Sequence, residues 1–249
     1  MKSPLLYILE VLFCSGLLLA FYRLLLVRKV SFRACRRYLV AAVFLSAVIP
    51  ALDIPLYPAR TVVYPLPLIA APPAENFVQT TGELPVAVPV VPSGWRRILR
   101  PMAVGGYLTA VFLSLGFLAV RMVGIRRLRR RSRLTDCGAY TLAEHPQIAT
   151  PFSFLRTVFL GGGYEGRRRM IVLCHEAGHV RHRHSAERIA VELVRSLFWF
   201  NPFVWIAGRW LQEVHEWEAD RDVLDAGYDL TEYRTVIFHQ LFGHNPDIA

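Results

Sequence analysis

Cysteine and acidic residues are scarce in this chain of 249 residues. The four cysteines are scattered at positions Cys14, Cys35, Cys137 and Cys174, without the dense, regular spacing of a disulfide-stabilised secreted domain. Asp and Glu number 19 against 29 Lys and Arg, so the formal net charge is +10. The sequence therefore excludes a disulfide framework and raises the question of what the excess positive charge contacts.

Nucleic acid is one partner of basic proteins, but the placement of the arginines argues against it here. They cluster beside apolar runs, and no segment interleaves aromatic and basic residues as a nucleic-acid groove does. Hydrophobic residues make up 54% of the chain, more than in an ordinary soluble domain. We therefore expect the lipid bilayer as a partner and no direct contact with nucleic acid.

Three apolar runs predict membrane-spanning helices. Residues 4–27 form the first, residues 38–52 a shorter second, and residues 102–123 the third. Basic residues follow the first run at 28–37 and the third at 121–133, and such clusters stay on the cytoplasmic side. Because the first run has its positive charge behind it, we expect a retained span rather than a cleaved signal peptide. Both clusters predict an N-terminus outside and a C-terminal part in the cytoplasm of a bacterial inner membrane.

The chain accordingly divides into four predicted parts. Residues 1–52 hold two spans with a basic inner loop, and residues 102–133 hold the third span with its arginine-rich flank. Residues 53–101 between them contain most of the 16 prolines, which predicts an extended extracytoplasmic loop with at most short strands. This loop either senses a ligand or merely joins spans. Residues 134–249 form the remaining domain.

The motif HEAGH at residues 175–179 predicts a metal site in that domain. His175 and His179 stand four residues apart, so on a helix both imidazoles project from one face, as a Zn²⁺ ion requires. Glu176 lies beside them and can act as general base toward a water at the open metal position. The small residues Ala177 and Gly178 let another element approach closely.

A third ligand is expected from HEWEAD at residues 215–220. Glu216 and Asp220 are four apart and share a helix face. One could bind the metal while the other accepts the outer N–H of a ligating histidine and fixes its tautomer. Glu218 competes for the metal, but its offset of two residues from Glu216 directs it off the shared face.

Together these motifs resemble the gluzincin membrane peptidases, and most of all the BlaR/MecR family of signal-transducing zinc peptidases. Further similar segments are TPFSFLRTVFLGG at 150–162, HVRHRHS at 179–185, FWFNPFVW at 198–205 and EADRDVL at 218–224. The resemblance covers about residues 135–243 and the arrangement of spans before them. It implies that His175, His179 and Glu216 bind Zn²⁺, that Glu176 is catalytic, and that Asp220 orients a ligand.

The resemblance also implies a fold and a function. We expect a mostly α integral membrane protein, with three N-terminal transmembrane helices and a cytoplasmic gluzincin-like α+β zinc peptidase domain that carries a membrane-associated helical hairpin. The activity expected is an endopeptidase that cleaves a BlaI/MecI-like transcriptional repressor after an external signal, and a second copy of the chain, in a homo-oligomer, is an open alternative as a partner. The antibiotic sensors of the family carry a penicillin-binding domain after a further span, whereas this sequence ends at Ala249, so β-lactam sensing is not expected.

Residues 189–211 are apolar enough for a fourth span, yet Glu192, Arg195 and Arg209 interrupt them and Asn201-Pro202 breaks them. A full crossing would also place Glu216 and His175 on opposite sides of the membrane. We therefore expect the segment to enter the membrane and return, or to lie along its surface.

Other local patterns give weaker expectations. Cys137–Ala143 and Phe154–Leu160 predict strands, and the resemblance places a substrate-pairing edge strand at the latter. His182 and His184 are expected at a solvated helix end, with a second metal site as the alternative. His215, Tyr228 and Tyr233 remain open alternatives for stabilising an oxyanion.

Two other functions fit part of the pattern. HtpX-like or CAAX-type peptidases, which process damaged or lipidated membrane proteins, share HExxH and ExxxD, although FWFNPFVW and the proline-rich loop favour the signalling relative. A non-catalytic receptor scaffold is the alternative from another class. The presence of Glu176 argues against it, since a scaffold needs no base beside the ligands.

Overall fold

The computed structural model describes residues 4–27, 29–52 and 94–242. The chain forms two units, one of Met1–Leu52 with Leu108–Ala249 and the other of Asp53–Tyr107. Most of the predicted proline-rich loop, residues 53–93, lies outside the described residues.

The described residues are mostly helical, as predicted. The helices are α1 (Pro4–Phe21), α2 (Phe32–Val48), α3 (Gly94–Arg131), α4 (Gly166–Arg181), α5 (His184–Leu197), α6 (Pro202–Asp225) and α7 (Leu230–Phe242). A π-helical turn, Tyr22–Leu26, prolongs α1, and a 3₁₀ turn, Ile49–Ala51, prolongs α2.

Three of these helical segments are long and apolar enough to cross a membrane: Pro4–Leu26, Phe32–Ala51 and Pro101–Arg131. They confirm the three predicted apolar helices. Helix α3 begins at Gly94 and continues through Pro101, so the last residues of the predicted extended loop are helical instead. Pro101 has no backbone N–H and therefore costs the helix one hydrogen bond. The long helix-forming run after Pro101 compensates for this loss.

Helices α5 and α6 pack against α1 and α2 around a shared apolar core. Its buried members include Leu19, Leu39, Val194, Val204 and Leu211. This packing removes apolar side chains of four helices from water or lipid at once, and it fixes α2 against the segment that carries HEWEAD.

The predicted break at Asn201-Pro202 separates α5 from α6. Asn201 is buried, its side-chain oxygen accepts the Phe203 N–H that begins α6, and its side-chain nitrogen donates to Ser15 Oγ at 2.8 Å. Gly16 is close enough to Phe203 that an added Cβ would lie 3.1 Å from the ring. The turn between α5 and α6 therefore sits beside the middle of α1.

A four-stranded sheet in the order β1-β2-β4-β3 precedes the HEAGH helix. Its strands are β1 (Arg133–Asp136), β2 (Thr141–Glu144), β3 (Phe152–Phe154) and β4 (Thr157–Leu160). Strands β2 and β4 are parallel, and the other two pairs are antiparallel.

The sheet corrects both predicted strands. Cys137–Ala143 is a turn followed by β2, and Phe154–Leu160 is divided by a tight turn at Leu155 and Arg156. Because β4 lies between β2 and β3 and all its residues are buried, it cannot be the edge strand. The edge is β3.

The inner face of the sheet packs on α4, α6 and α7 through Leu142, Val158, Ile171, Val223 and Tyr233. After β4 the chain turns at Gly161, where an added Cβ would lie 2.1 Å from the carbonyl oxygen of Ile148. Only glycine fits so close an approach, and this turn leads the chain from the sheet into α4.

Candidate metal centre

Helices α4 and α6 bring the two sequence motifs together. They pack closely at Gly178, where an added Cβ would lie 3.4 Å from the Cα of Ala219 and 3.0 Å from Asp222 Oδ2. The close approach predicted from the small residues of HEAGH is thus observed at Gly178. It places the histidines of α4 opposite the acidic face of α6.

Three side chains named from the sequence converge there: His175, His179 and Glu216, whose ligand atoms all lie within 4.8 Å of one another. His175 Nε2 lies 3.2 Å from His179 Nε2 and 3.5 Å from Glu216 Oε2, and the remaining pair is 3.8 Å apart. Ligands about 2.0–2.1 Å from a tetrahedral zinc ion are separated by about 3.3 Å. The donor set and its spacing therefore fit a zinc ion.

The outer nitrogen of His175 faces Asp220 and Tyr233. His175 Nδ1 lies 3.3 Å from Asp220 Oδ1 and 2.8 Å from the Tyr233 hydroxyl, which itself donates to Asp220 Oδ1 at 2.6 Å. A carboxylate at this position holds the proton on Nδ1 and leaves Nε2 as the free donor for a metal. Asp220 therefore lies within reach of the outer nitrogen of His175.

The outer nitrogen of His179 faces another histidine. His179 Nδ1 lies 2.7 Å from His184 Nδ1, and His184 Nε2 lies 3.1 Å from Glu218 Oε2. His184 is only 2% exposed, so its predicted place at a solvated helix end is wrong. Glu218 instead contacts Arg36, His182 and His184, and it is not among the three residues whose ligand atoms converge.

Burial and neighbouring charges shift the pKa values of this cluster in opposite directions. Burial disfavours a charge on His175, but hydrogen bonds with Asp220 and Glu216 overcome it and raise the pKa of His175 to about 9. Burial and the charge on His175 lower the pKa of His179 to about 4. The neighbouring carboxylates thus favour a positive charge at this position, which a bound cation would supply.

Glu176 is buried beside the same cluster. Burial raises the pKa of its carboxyl group, while the charge of His175 and a hydrogen bond with Ser153 counteract part of that shift. A carboxylate with a raised pKa is a better proton acceptor, as a general base requires.

A cleft of about 200 Å³ gives access to these groups. It is lined by Pro151, Phe152, Ser153, His175, Glu176, His179, His184, Ser185, Arg188, Gln212, His215 and Glu216. A second cavity of about 310 Å³, between α3, β3 and α5, shares Phe152, Ser153, Ser185 and Arg188 with it. Edge strand β3 therefore borders both spaces.

The three oxyanion candidates occupy different places. His215 lines the cleft, with its Nε2 atom 2.8 Å from Glu187 Oε2. Tyr233 is held by Asp220 and His175 Nδ1, on the side away from the cleft. Tyr228 lies under the guanidinium of Arg167. Of these three residues, the structure places only His215 at the cleft wall.

Two histidines one helical turn apart, a buried glutamate beside them that can act as base, and a distant carboxylate are the arrangement of the metallopeptidases. The chain matches the profile of the BlaR1 peptidase M56 family over residues 11–246, nearly its whole length, and it belongs to that family. No curated protein matches the chain. Family membership and the three apolar helices identify a membrane-associated peptidase.

Proposed function

We propose that the chain is a membrane-embedded zinc endopeptidase with His175, His179 and Glu216 as protein ligands. The observation that carries the proposal is the convergence of three ligand atoms at near-tetrahedral spacing, each imidazole held from behind by a hydrogen bond. Three protein ligands leave one position open, as in catalytic rather than structural zinc sites.

In this proposal a bound Zn²⁺ supplies a water of lowered pKa and polarises the scissile carbonyl. The Glu176 carboxylate accepts the proton of the attacking water and later delivers it to the leaving peptide nitrogen. Contacts with Asp220 and Tyr233 orient His175, and the hydrogen bond with His184 orients His179. His215, at the cleft wall, is the best placed of the three sequence candidates to bind the oxyanion.

Strand β3 is the proposed substrate-pairing edge. It pairs with β4 on one side only within the described residues, and Phe152 and Ser153 line the cleft. A substrate in extended conformation could add to that edge by backbone hydrogen bonds, which would place a peptide bond beside Glu176. The strand proposed to pair with the substrate is therefore Phe152–Phe154, in place of the Phe154–Leu160 segment expected from the sequence.

The topology proposed has the N-terminus outside and the peptidase site at the cytoplasmic face, because arginines follow α1 and end α3. The turn at Asn201 contacts Ser15, the midpoint of the first apolar segment. If α1 crosses the bilayer, the α5–α6 hairpin enters the membrane to about half the thickness of the bilayer and then returns. His175 and Glu216 then remain on the same side.

We also propose that the peptidase is a sensor-transducer whose cytoplasmic substrate is a BlaI/MecI-like repressor. The family match supports this over an HtpX-like or CAAX-type role, because it covers the apolar N-terminal helices together with the catalytic motifs. Glu176, buried beside the ligands, supports catalysis over a receptor scaffold.

Metal removal tests the proposed function. The full chain, purified in detergent, is expected to cleave a quenched-fluorescence peptide library and a BlaI/MecI-like repressor. Dialysis against a chelator should abolish cleavage, about one equivalent of Zn²⁺ per chain should restore it, and Mg²⁺ should not, since imidazole ligands suit zinc. Cleavage that persists in demonstrably metal-free protein would rule out the zinc mechanism.

A further inference from the structure

Arg36, on apolar helix α2, is a buried cation in contact with the peptidase domain. It is 8% exposed, its Nε atom lies 3.1 Å from Glu187 Oε1, and its guanidinium also pairs with Glu218 Oε2. Helix α2 belongs to the second candidate span, Phe32–Ala51. A buried arginine is costly unless its partners neutralise it, so these two carboxylates are structural necessities for it.

Each carboxylate in turn contacts a histidine of the cleft. Glu218 Oε2 lies 3.1 Å from His184 Nε2, and Glu187 Oε2 lies 2.8 Å from His215 Nε2. The two imidazole rings stack with centroids 4.0 Å apart and an interplanar angle of 13°. Arg36 is therefore connected to both histidines through these two carboxylates, and the atoms of each contact lie within hydrogen-bonding distance.

The hydrogen-bond directions run toward the metal cluster. A carboxylate only accepts, so Glu218 holds the proton of His184 on Nε2, and the Nδ1 lone pair of His184 faces His179. His179 Nδ1–H then donates across the 2.7 Å contact, which leaves the His179 Nε2 lone pair directed at the metal position.

We propose that Arg36 is a positioning residue that links the second apolar helix to the metal centre through Glu218 and His184. The proposal rests on the proposed zinc function of His179. Without the cation, the carboxylates of Glu187, which is partly buried, and Glu218, which is buried, would repel each other and one would rotate away. Glu218 would then lose its hold on His184, and His184 its hold on His179.

Arginine suits this place better than lysine. Its planar guanidinium donates a hydrogen bond to Glu218 and lies in ion-pair contact with Glu187, whereas an ammonium group is a single point charge on a flexible stem. Because Arg36 lies on a candidate span, a displacement of α2 would change the orientation of His179 through Glu218 and His184. This provides a physical route by which an event at the membrane alters the metal site.

Zinc affinity measures the link without requiring a substrate. The full chain in detergent, freed of metal, is titrated with Zn²⁺ against a competing chelator. Arg36→Met is expected to weaken zinc binding by about tenfold or more, the effect of losing a partner that orients a ligand. Arg37→Met is the matched control, since Arg37 is exposed on the same helix and should bind zinc like the wild type.

A double-mutant cycle separates this role from general destabilisation. If Arg36 acts through Glu218, the double variant R36M/E218Q should bind zinc no more weakly than the weaker single variant, whereas independent effects would multiply. Arg36→Lys should fall between wild type and Arg36→Met. If Arg36→Met does not fold, the Arg36→Lys variant decides the question. A zinc affinity at least about threefold weaker than that of the wild type supports the link, and wild-type affinity overturns it.

Failure of this link and failure of the zinc function are distinguishable. Wild-type affinity in Arg36→Met, with wild type and Arg37→Met both binding zinc and cleaving peptides, overturns only the role of Arg36. A wild-type protein that binds no zinc overturns the proposed function, and the role of Arg36 with it.

Discussion

Replacing Glu176 with Gln is expected to lower kcat/KM by about 10²–10⁴-fold while zinc binding stays intact. Gln has nearly the same shape but cannot accept a proton, so the proton of the attacking water has nowhere to go. Stability should not fall, because the substitution removes a charge from a group that is 6% exposed. Peptide hydrolysis and zinc content are measured on the same preparation.

Glu165→Gln is the control for this substitution. Glu165 precedes the same helix, is exposed, and makes no side-chain cap hydrogen bond, so its amide variant should cleave at the wild-type rate. Full hydrolysis in the Glu176→Gln protein would remove Glu176 from the mechanism. Signalling that survived in a variant without hydrolysis would favour the receptor scaffold.

Replacing Glu216 with Ala is expected to weaken zinc binding by more than about 100-fold and to abolish hydrolysis with it. The loss should exceed the roughly 10–100-fold expected for Asp220→Asn, which leaves all three ligands in place and disturbs only the orientation of His175. Zinc affinity by chelator competition orders the two variants and the wild type.

Glu213→Ala provides the matched comparison on helix α6. Glu213 is exposed and one turn before Glu216, so its loss changes the charge of the helix without touching the cluster. Equal zinc affinity in the Glu216→Ala and Glu213→Ala proteins would show that the third ligand lies elsewhere.

The candidate site could be predicted from the sequence because the residues of each motif are spaced by one helical turn. His175 and His179, and likewise Glu216 and Asp220, share helix faces because their offsets match one helical turn. The break at Asn201-Pro202 was predictable for a similar reason, since proline begins helices and a preceding asparagine caps them. These features depend only on residues near in sequence.

Long-range contacts left no such signal. Arg36 and Glu218 are 182 positions apart, and nothing around either residue indicates the other. His184 was expected in solvent because it lies among arginines and another histidine, yet its side chain is buried between α4, α5 and α6. Tertiary packing, which local composition does not encode, decided its place.

The sheet shows a different reason for error. The turn between β3 and β4 is made by Leu155 and Arg156, with Leu155 at φ 52°, where glycine or asparagine is the usual signal. Without that signal Phe154–Leu160 reads as one strand. The turn itself is exposed, and the two short strands are held together by packing between them, including Phe152 stacked on Phe159 with centroids 4.5 Å apart.

The ligand shell of bound zinc, measured by X-ray absorption on the purified full chain, tests the central claim most directly. The account predicts nitrogen and oxygen ligands alone at about 2.0–2.1 Å, with two imidazoles in the shell, and loss of an oxygen ligand in Glu216→Ala. A sulfur ligand at about 2.3 Å, or a shell unchanged by Glu216→Ala, would contradict it.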